Sequence, residues 1–217
     1  MKILRSAIAT ALLLPVTAQA QESNDQGWYL KPLIAISQLS DQTGTTFGIG
    51  AVDGSADAQI SGGFASGLNI GYSYNEHWSA ELGWEYRSND SEVSLADGQR
   101  FTEGNYASNS FFLNGIYSFD SSSSWRPYLG AGLSWIQEID IDLETAGSEL
   151  SYSGDGDSGF QLFAGLDYQF DSRWSVLGEV RYSSIGDIEL IGENTSGTFT
   201  GLDYNPVSFQ IGLNYRF

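Results

Sequence analysis

Apolar residues fall on every second position in eight stretches of the chain. The first runs Trp28, Leu30, Pro32, Ile34, Ile36, the second Phe64, Leu68, Ile70, Tyr72, Tyr74 and the third Trp78, Ala80, Leu82, Trp84, Tyr86. Phe111, Leu113, Tyr117, Phe119 make the fourth, and Trp125, Leu129, Ala131, Leu133, Trp135 the fifth. Then come Phe160, Leu162, Ala164, Leu166, Tyr168, Phe170, followed by Trp174, Val176, Val180, Tyr182. The eighth is VSFQIGLNYRF, with Val207, Phe209, Ile211, Leu213, Tyr215 and Phe217 in phase. A period of two puts alternate side chains on opposite faces of an extended chain, so the pattern predicts eight β-strands.

The connections alternate in length. Residues 75–77, 120–124 and 171–173 are short turns, whereas 38–62, 88–105, 138–157 and 183–205 are long and rich in Gly, Ser, Thr, Asp and Asn. Trp28, Trp78, Trp125 and Trp174 recur at spacings of 50, 47 and 49, each opening an odd strand. Even strands close on an aromatic pair: Tyr72/Tyr74, Tyr117/Phe119, Tyr168/Phe170 and Tyr215/Phe217. A soluble sandwich would bury its apolar face and has no use for tryptophans at one level. A barrel in a membrane does, because amphipathic rings are stable at the interface. The expectation is an all-β, eight-stranded antiparallel up-and-down transmembrane barrel with short periplasmic turns and four long extracellular loops. Its periplasmic girdle is Trp28, Tyr74, Trp78, Phe119, Trp125, Phe170, Trp174 and Phe217. Pro32 fits least well, since it removes a ladder donor in a sheet without an edge; a local bulge or a lumen water is the expected remedy.

The first twenty residues sharpen the destination. MKILRSAIATALLLPVTAQA has a basic start, a short apolar run and an Ala-Gln-Ala ending, the plan of a secretory signal peptide cut after Ala20. Residues 21–217 are then one barrel domain in the outer membrane. Of 9 bases, Lys2 and Arg5 leave with the signal, so 7 bases face 27 acids and the mature net charge is −20. Nucleic acid is a poor partner for such a charge. There is no cysteine, so neither disulfides nor thiol chemistry arise.

Eight strands close a barrel just wide enough for side chains to fill. The inward positions include Gly71, Gly83, Gly130, Gly132, Gly165 and Gly212, leaving room for Phe112, Tyr128 and Phe163. They also include Lys31, Glu81, Glu85, Arg87, Arg126, Asp167, Glu179, Arg181 and Arg216, which hold five of the seven mature bases. Lys31, Glu81, Arg126, Asp167 and Arg216 belong to a tier near the turns, and Glu85, Arg87, Glu179 and Arg181 to a tier near the loops. Both tiers mix signs, so an ion network that plugs the lumen is expected, because an unpaired buried charge costs several kcal/mol. The alternative is a gated, narrow, low-conductance pore.

Enzymatic chemistry has little to stand on. The lone His77 sits in a short turn, with no second histidine for a metal pair and no Gly-X-Ser-X-Gly elbow. SGDGDSG, residues 153–159, lacks the spaced ligands and terminal Glu of a calcium loop. EIDIDLE, residues 138–144, alternates acid and apolar residues, so its acids share one face if the fifth strand continues past the membrane. No catalytic residue, metal or cofactor is assigned; a lipid-modifying enzyme is the weakest of the three readings.

WRPYLGAGLSW, RWSVLGEVRYSS and the ending GLNYRF resemble the eight-stranded outer-membrane barrel family, the OmpA transmembrane domain and OmpX-like proteins of Gram-negative bacteria. The resemblance covers the mature chain and implies a terminal strand read by the barrel-assembly machinery, here through Tyr215 and Phe217. It implies roles in membrane integrity, adhesion or host contact and no single activity. Unlike OmpA-like proteins, the chain is expected to lack a cell-wall-binding domain. The expected partners are outer-membrane lipid, lipopolysaccharide, the assembly machinery and an extracellular partner met by the loops, with the chain a monomer.

Overall fold

The structure, a computed structural model, describes residues 26–49, 52–145 and 148–217; the signal-peptide reading lies outside these. Among the described residues there are twelve strands: β1 Gly27–Gln38, β2 Gln42–Ile49, β3 Val52–Ser73, β4 Trp78–Ser94, β5 Arg100–Phe101, β6 Asn105–Ser118, β7 Trp125–Thr145, β8 Ser148–Gly154, β9 Ser158–Gln169, β10 Trp174–Gly192, β11 Thr198–Tyr204 and β12 Val207–Arg216. Eight of them form a closed antiparallel ring, β1–β3–β4–β6–β7–β9–β10–β12, and β12 returns to β1. These are the eight strands the alternation predicts. Closure is sealed at the turn end, where Phe217 N donates to Trp28 O at 3.0 Å.

Outward side chains between the two interfaces are apolar and exposed, among them Ile34, Ile36, Leu82, Leu113, Leu133, Phe209 and Ile211. The band they make is about 9–11 residues tall per strand, the height of a bilayer core crossed by tilted strands. The girdle at the short turns is in place, its eight aromatics between 41% and 57% exposed. A second aromatic row marks the opposite interface: Phe64–Tyr86, Phe111–Trp135 and Phe160–Tyr182, with ring centroids 6.0, 5.9 and 6.5 Å apart.

Inside the wall, glycines make room for rings. A side chain at Gly165 would land in the ring of Tyr128, and one at Gly130 in that of Phe163. Pro32 needs no bulge. The β1–β12 register is unchanged across it, with Leu30 opposite Tyr215 and Leu33 opposite Gly212. The ladder simply skips Lys31 and Pro32 on that side, while the β3 side stays paired.

The four long connections are not plain loops. β3, β7 and β10 run on for 22, 21 and 19 residues, well past the lipid band, and pair with β2, β8 and β11. Above the membrane the inward face turns apolar. Ile49, Ile60, Val93, Phe101, Tyr106, Ile139, Ile141, Leu143, Tyr152, Ile188, Leu190, Phe199 and Leu202 belong to one buried core. Three ring strands carry a bulge at this junction, in β3 between Ile60 and Gly63, in β7 between Ile136 and Glu138, and in β10 between Ile185 and Ile188. Each bulge adds a residue and switches which parity faces inward. In β10 it includes Asp187, whose φ of 58° is the left-handed conformation an αL bulge uses.

Candidate functional site

The candidate site is the lumen and its two ends. Strand β4 shows how the sequence builds it. Its odd positions face inward without interruption, from Glu81, Gly83, Glu85 and Arg87 through Asn89 and Ser91 to Val93, and the buried Leu95 just past its end continues the row. Charge, then neutral polarity, then hydrocarbon are stacked along one strand.

At the lower tier Lys31 and Glu81 are buried and ion-paired. Glu81 also accepts from Tyr29 Oη at 2.9 Å and from Asn69 Nδ2 at 3.0 Å. At the upper tier Arg87 Nη2 donates to Glu85 at 2.5 Å, and Arg181 binds Glu179 through Nε at 3.0 Å and Nη2 at 2.7 Å. Arg181 Nη1 stands 3.9 Å from Glu85, linking the two pairs. Arg181 and Arg87 are only 1% and 2% exposed, so these charges hold each other with little help from water. Arg181 also lies over the rings of Phe112 and Phe163, 5.4 and 5.0 Å from their centroids.

Six of the nine charges read from the sequence are thus brought together. Arg126, Asp167 and Arg216 are not. They are half-buried at the periplasmic mouth and have no ion pair among the described residues. They line a vestibule with room for about 40 Å³ of water-sized volume, a few water molecules at most. Tyr215 packs between Trp174 and Phe217, at 4.6 and 5.2 Å between ring centroids.

Neutral partners complete the network, and charge-reading missed them. Tyr128 Oη donates to Glu179 at 2.9 Å, Gln210 Nε2 to Glu85 at 3.2 Å, and Arg87 reaches Ser37. Their signal was present, since each lies on the inward parity of its strand. His77 is a turn residue: its Nδ1 is 3.1 Å from Ser118 O, and its ring stacks on Tyr117.

Outside the lipid band, the outer face of β7 carries Glu138, Asp140, Asp142 and Glu144, as its alternation implied. Glu144 lies opposite Glu149 on β8 and bridges to Glu103. Asp142 accepts from Ser151 Oγ at 2.6 Å and Asn105 Nδ2 at 3.2 Å. Burial, then the carboxylates of Asp142, Glu138 and Glu193, pushes the Asp140 carboxyl up to about 7. Among the described residues no three acids or histidines converge as metal ligands.

The model of the outer membrane protein beta-barrel domain matches residues 6–217. Outer membrane protein W of Vibrio cholerae is 24% identical over 158 residues, covering 70% of this chain and 72% of that protein. A 31 kDa outer-membrane immunogenic protein of Brucella melitensis is 25% identical over 173 residues, covering 76% and 71%. Among solved structures, OprG of Pseudomonas aeruginosa superposes with a TM-score of 0.67 at 18% identity, covering 89% of this chain and 97% of that one. Neisserial surface protein A gives 0.53 at 18% identity, covering 88% and 97%. At these identities the structures establish the fold.

Two outcomes follow. Glu81→Gln leaves Lys31 buried without its counter-charge and lowers stability by about 3–5 kcal/mol in urea unfolding from detergent micelles. Lys31→Met/Glu81→Leu recovers part of that loss; a single variant as stable as wild type contradicts the pairing. The raised Asp140 pKa has a definite sign. Between the ordinary aspartate value and about 7 the folded chain binds more protons than the unfolded one, so this group removes stability as pH rises through that window. In Asp140→Asn the fall in urea midpoint from pH 5 to pH 8 is smaller than in wild type.

Proposed function

The chain belongs to the outer membrane protein beta-barrel domain family and is an integral outer-membrane β-barrel protein; from that premise, we propose that it is a closed structural barrel that presents a rigid acidic surface to molecules outside the cell. One observation carries this reading. The ion network fills the lumen at both tiers, while the strands continue past the bilayer into a dome with an apolar core and an acid-covered exterior. A core of that kind holds a surface in one shape, which suits recognition better than mobile loops do. Axial conduction is disfavoured, because an ion would have to displace buried, paired guanidinium and carboxylate groups. The reading assigns no catalytic residue. In planar bilayers the purified protein gives no discrete current steps. Cells carrying it bind a surface partner or matrix that cells carrying a variant with shortened β2–β3 and β7–β8 hairpins do not. Current steps that shift on Glu81→Gln, or equal binding by both cell types, count against it.

A second reading rests on one gap in the wall. Backbone pairing between β1 and β12 ends at Gln38 opposite Val207, and pairing between β2 and β11 begins at Thr45 opposite Thr200. Between them a single hydrogen bond among the described residues spans the gap, from Asp203 N to Gln42 Oε1 at 3.1 Å. Leu39 and Tyr204 of the apolar core lie at this gap, just above the lipid-facing Ile36 and Phe209. Such a place is suited to passing small apolar molecules sideways into the outer leaflet, without entering the polar lumen. Uptake of a fluorescent naphthalene derivative is then faster in cells carrying the protein. It falls to background when Gln42→Cys and Asp203→Cys are cross-linked; uptake indifferent to the cross-link removes this reading.

A further inference from the structure

The periplasmic mouth holds charges that the lumen network does not absorb. Its floor includes Lys31, ion-paired with Glu81 behind it, and its sides include Arg126, Arg216, Asp167 and Asn214. Register places Arg126 opposite Asp167, yet the two form no ion pair, and Asp167 Oδ2 accepts from Ser175 Oγ at 2.8 Å. With the floor pair neutral, two guanidiniums face one carboxylate, a local excess of positive charge in a chain whose formal net charge is −18. Asn214 is only 7% exposed, and its Oδ1 accepts no hydrogen bond from the described residues. A buried amide oxygen without a donor is costly, so a native structure that keeps one has a reason for it.

We propose that this vestibule binds one inorganic phosphate ion, which keeps a P–O–H at neutral pH, entering from the periplasm. Guanidinium forks match paired phosphate oxygens, and two of them here form no ion pair among the described residues. The low-dielectric walls strengthen that attraction and focus the field of the arginines into the opening. The volume admits one small oxyanion and excludes larger solutes. Asn214 separates phosphates by type. Inorganic phosphate offers an O–H to its Oδ1, whereas a lipid phosphodiester has only acceptor oxygens and leaves it unsatisfied. Nothing bound here moves further inward, because Lys31, Glu81 and the rings of Tyr29 and Tyr128 fill the way.

Isothermal titration of the detergent-folded protein at fixed ionic strength tests this, using inorganic phosphate, glycerophosphocholine as the diester, and chloride. Inorganic phosphate binds saturably and the diester at least tenfold more weakly. Arg126→Gln and Arg216→Gln each weaken phosphate binding tenfold or more, Arg126→Lys weakens it less than Arg126→Gln does, and Arg100→Gln on the dome leaves it unchanged. Asn214→Ala narrows the preference over the diester. Heat-shifted gel mobility establishes that each variant is folded before it is titrated. Absence of saturable phosphate binding, or wild-type binding in both glutamine variants, overturns the site. Equal binding of the diester overturns the assignment to a phosphate bearing a hydroxyl.

Discussion

A bilayer core offers no partner to the edge of a β-sheet, and the structure follows from meeting that constraint. Each unsatisfied backbone group in hydrocarbon costs several kcal/mol, so the sheet closes on itself. Here β12 pairs with β1 from Gln38–Val207 down to Tyr29–Arg216, and the terminal amide still finds Trp28. Closure with eight strands fixes the width of the lumen, and that width leaves no room for an open water column. Side chains must fill it. In a wall whose outer face belongs to lipid, the polar residues have only the inside to occupy. Their charges therefore meet in pairs, supported by tyrosine, asparagine, glutamine and serine on the same inward rows.

Past the lipid headgroups the same wall has water outside, and the preference reverses. The strands continue, but the inward rows become isoleucine, leucine, valine and aromatic, while acids move to the exterior. The two halves meet where Ser108 and Tyr204 share a hydrogen bond of 2.5 Å, between the ion network below and the apolar core above. The bulges at this level let strands change facing without leaving the sheet. Burial, and then the neighbouring acids Asp142, Glu138 and Glu193, raise the Asp140 pKa, so this group removes stability as pH rises.

The ring was legible because its signal is strict. Period two over nine or more residues, tryptophans near every fiftieth position and aromatic pairs before short turns leave little choice of architecture. The inward charges were legible from parity alone. The dome was not, although its pieces alternate as clearly: Ala56, Ala58, Ile60 in β3, and Ile139, Ile141, Leu143 in β7. A one-residue bulge puts these out of phase with the strand below, and acids and glycines between them mimic a solvated loop. Which charges pair was also beyond the pattern. Parity sends Arg126 and Arg216 inward as surely as Arg87 and Arg181, but depth decides their surroundings, and near the mouth these guanidiniums stay half-buried, with no ion pair among the described residues. Pro32 interrupts only the β12 side of the ladder, while its β3 side stays paired.

Hydrogen exchange of the folded protein in detergent tests the central claim, that a closed polar barrel carries an ordered apolar dome. Backbone amides at 139–143, 188–190 and 198–200 are predicted to exchange slowly, within reach of the protection seen at 82–87 and 176–181 in the lipid band. Exchange at those dome positions as fast as at the exposed turn 121–124 contradicts it, leaving a plugged barrel with mobile loops.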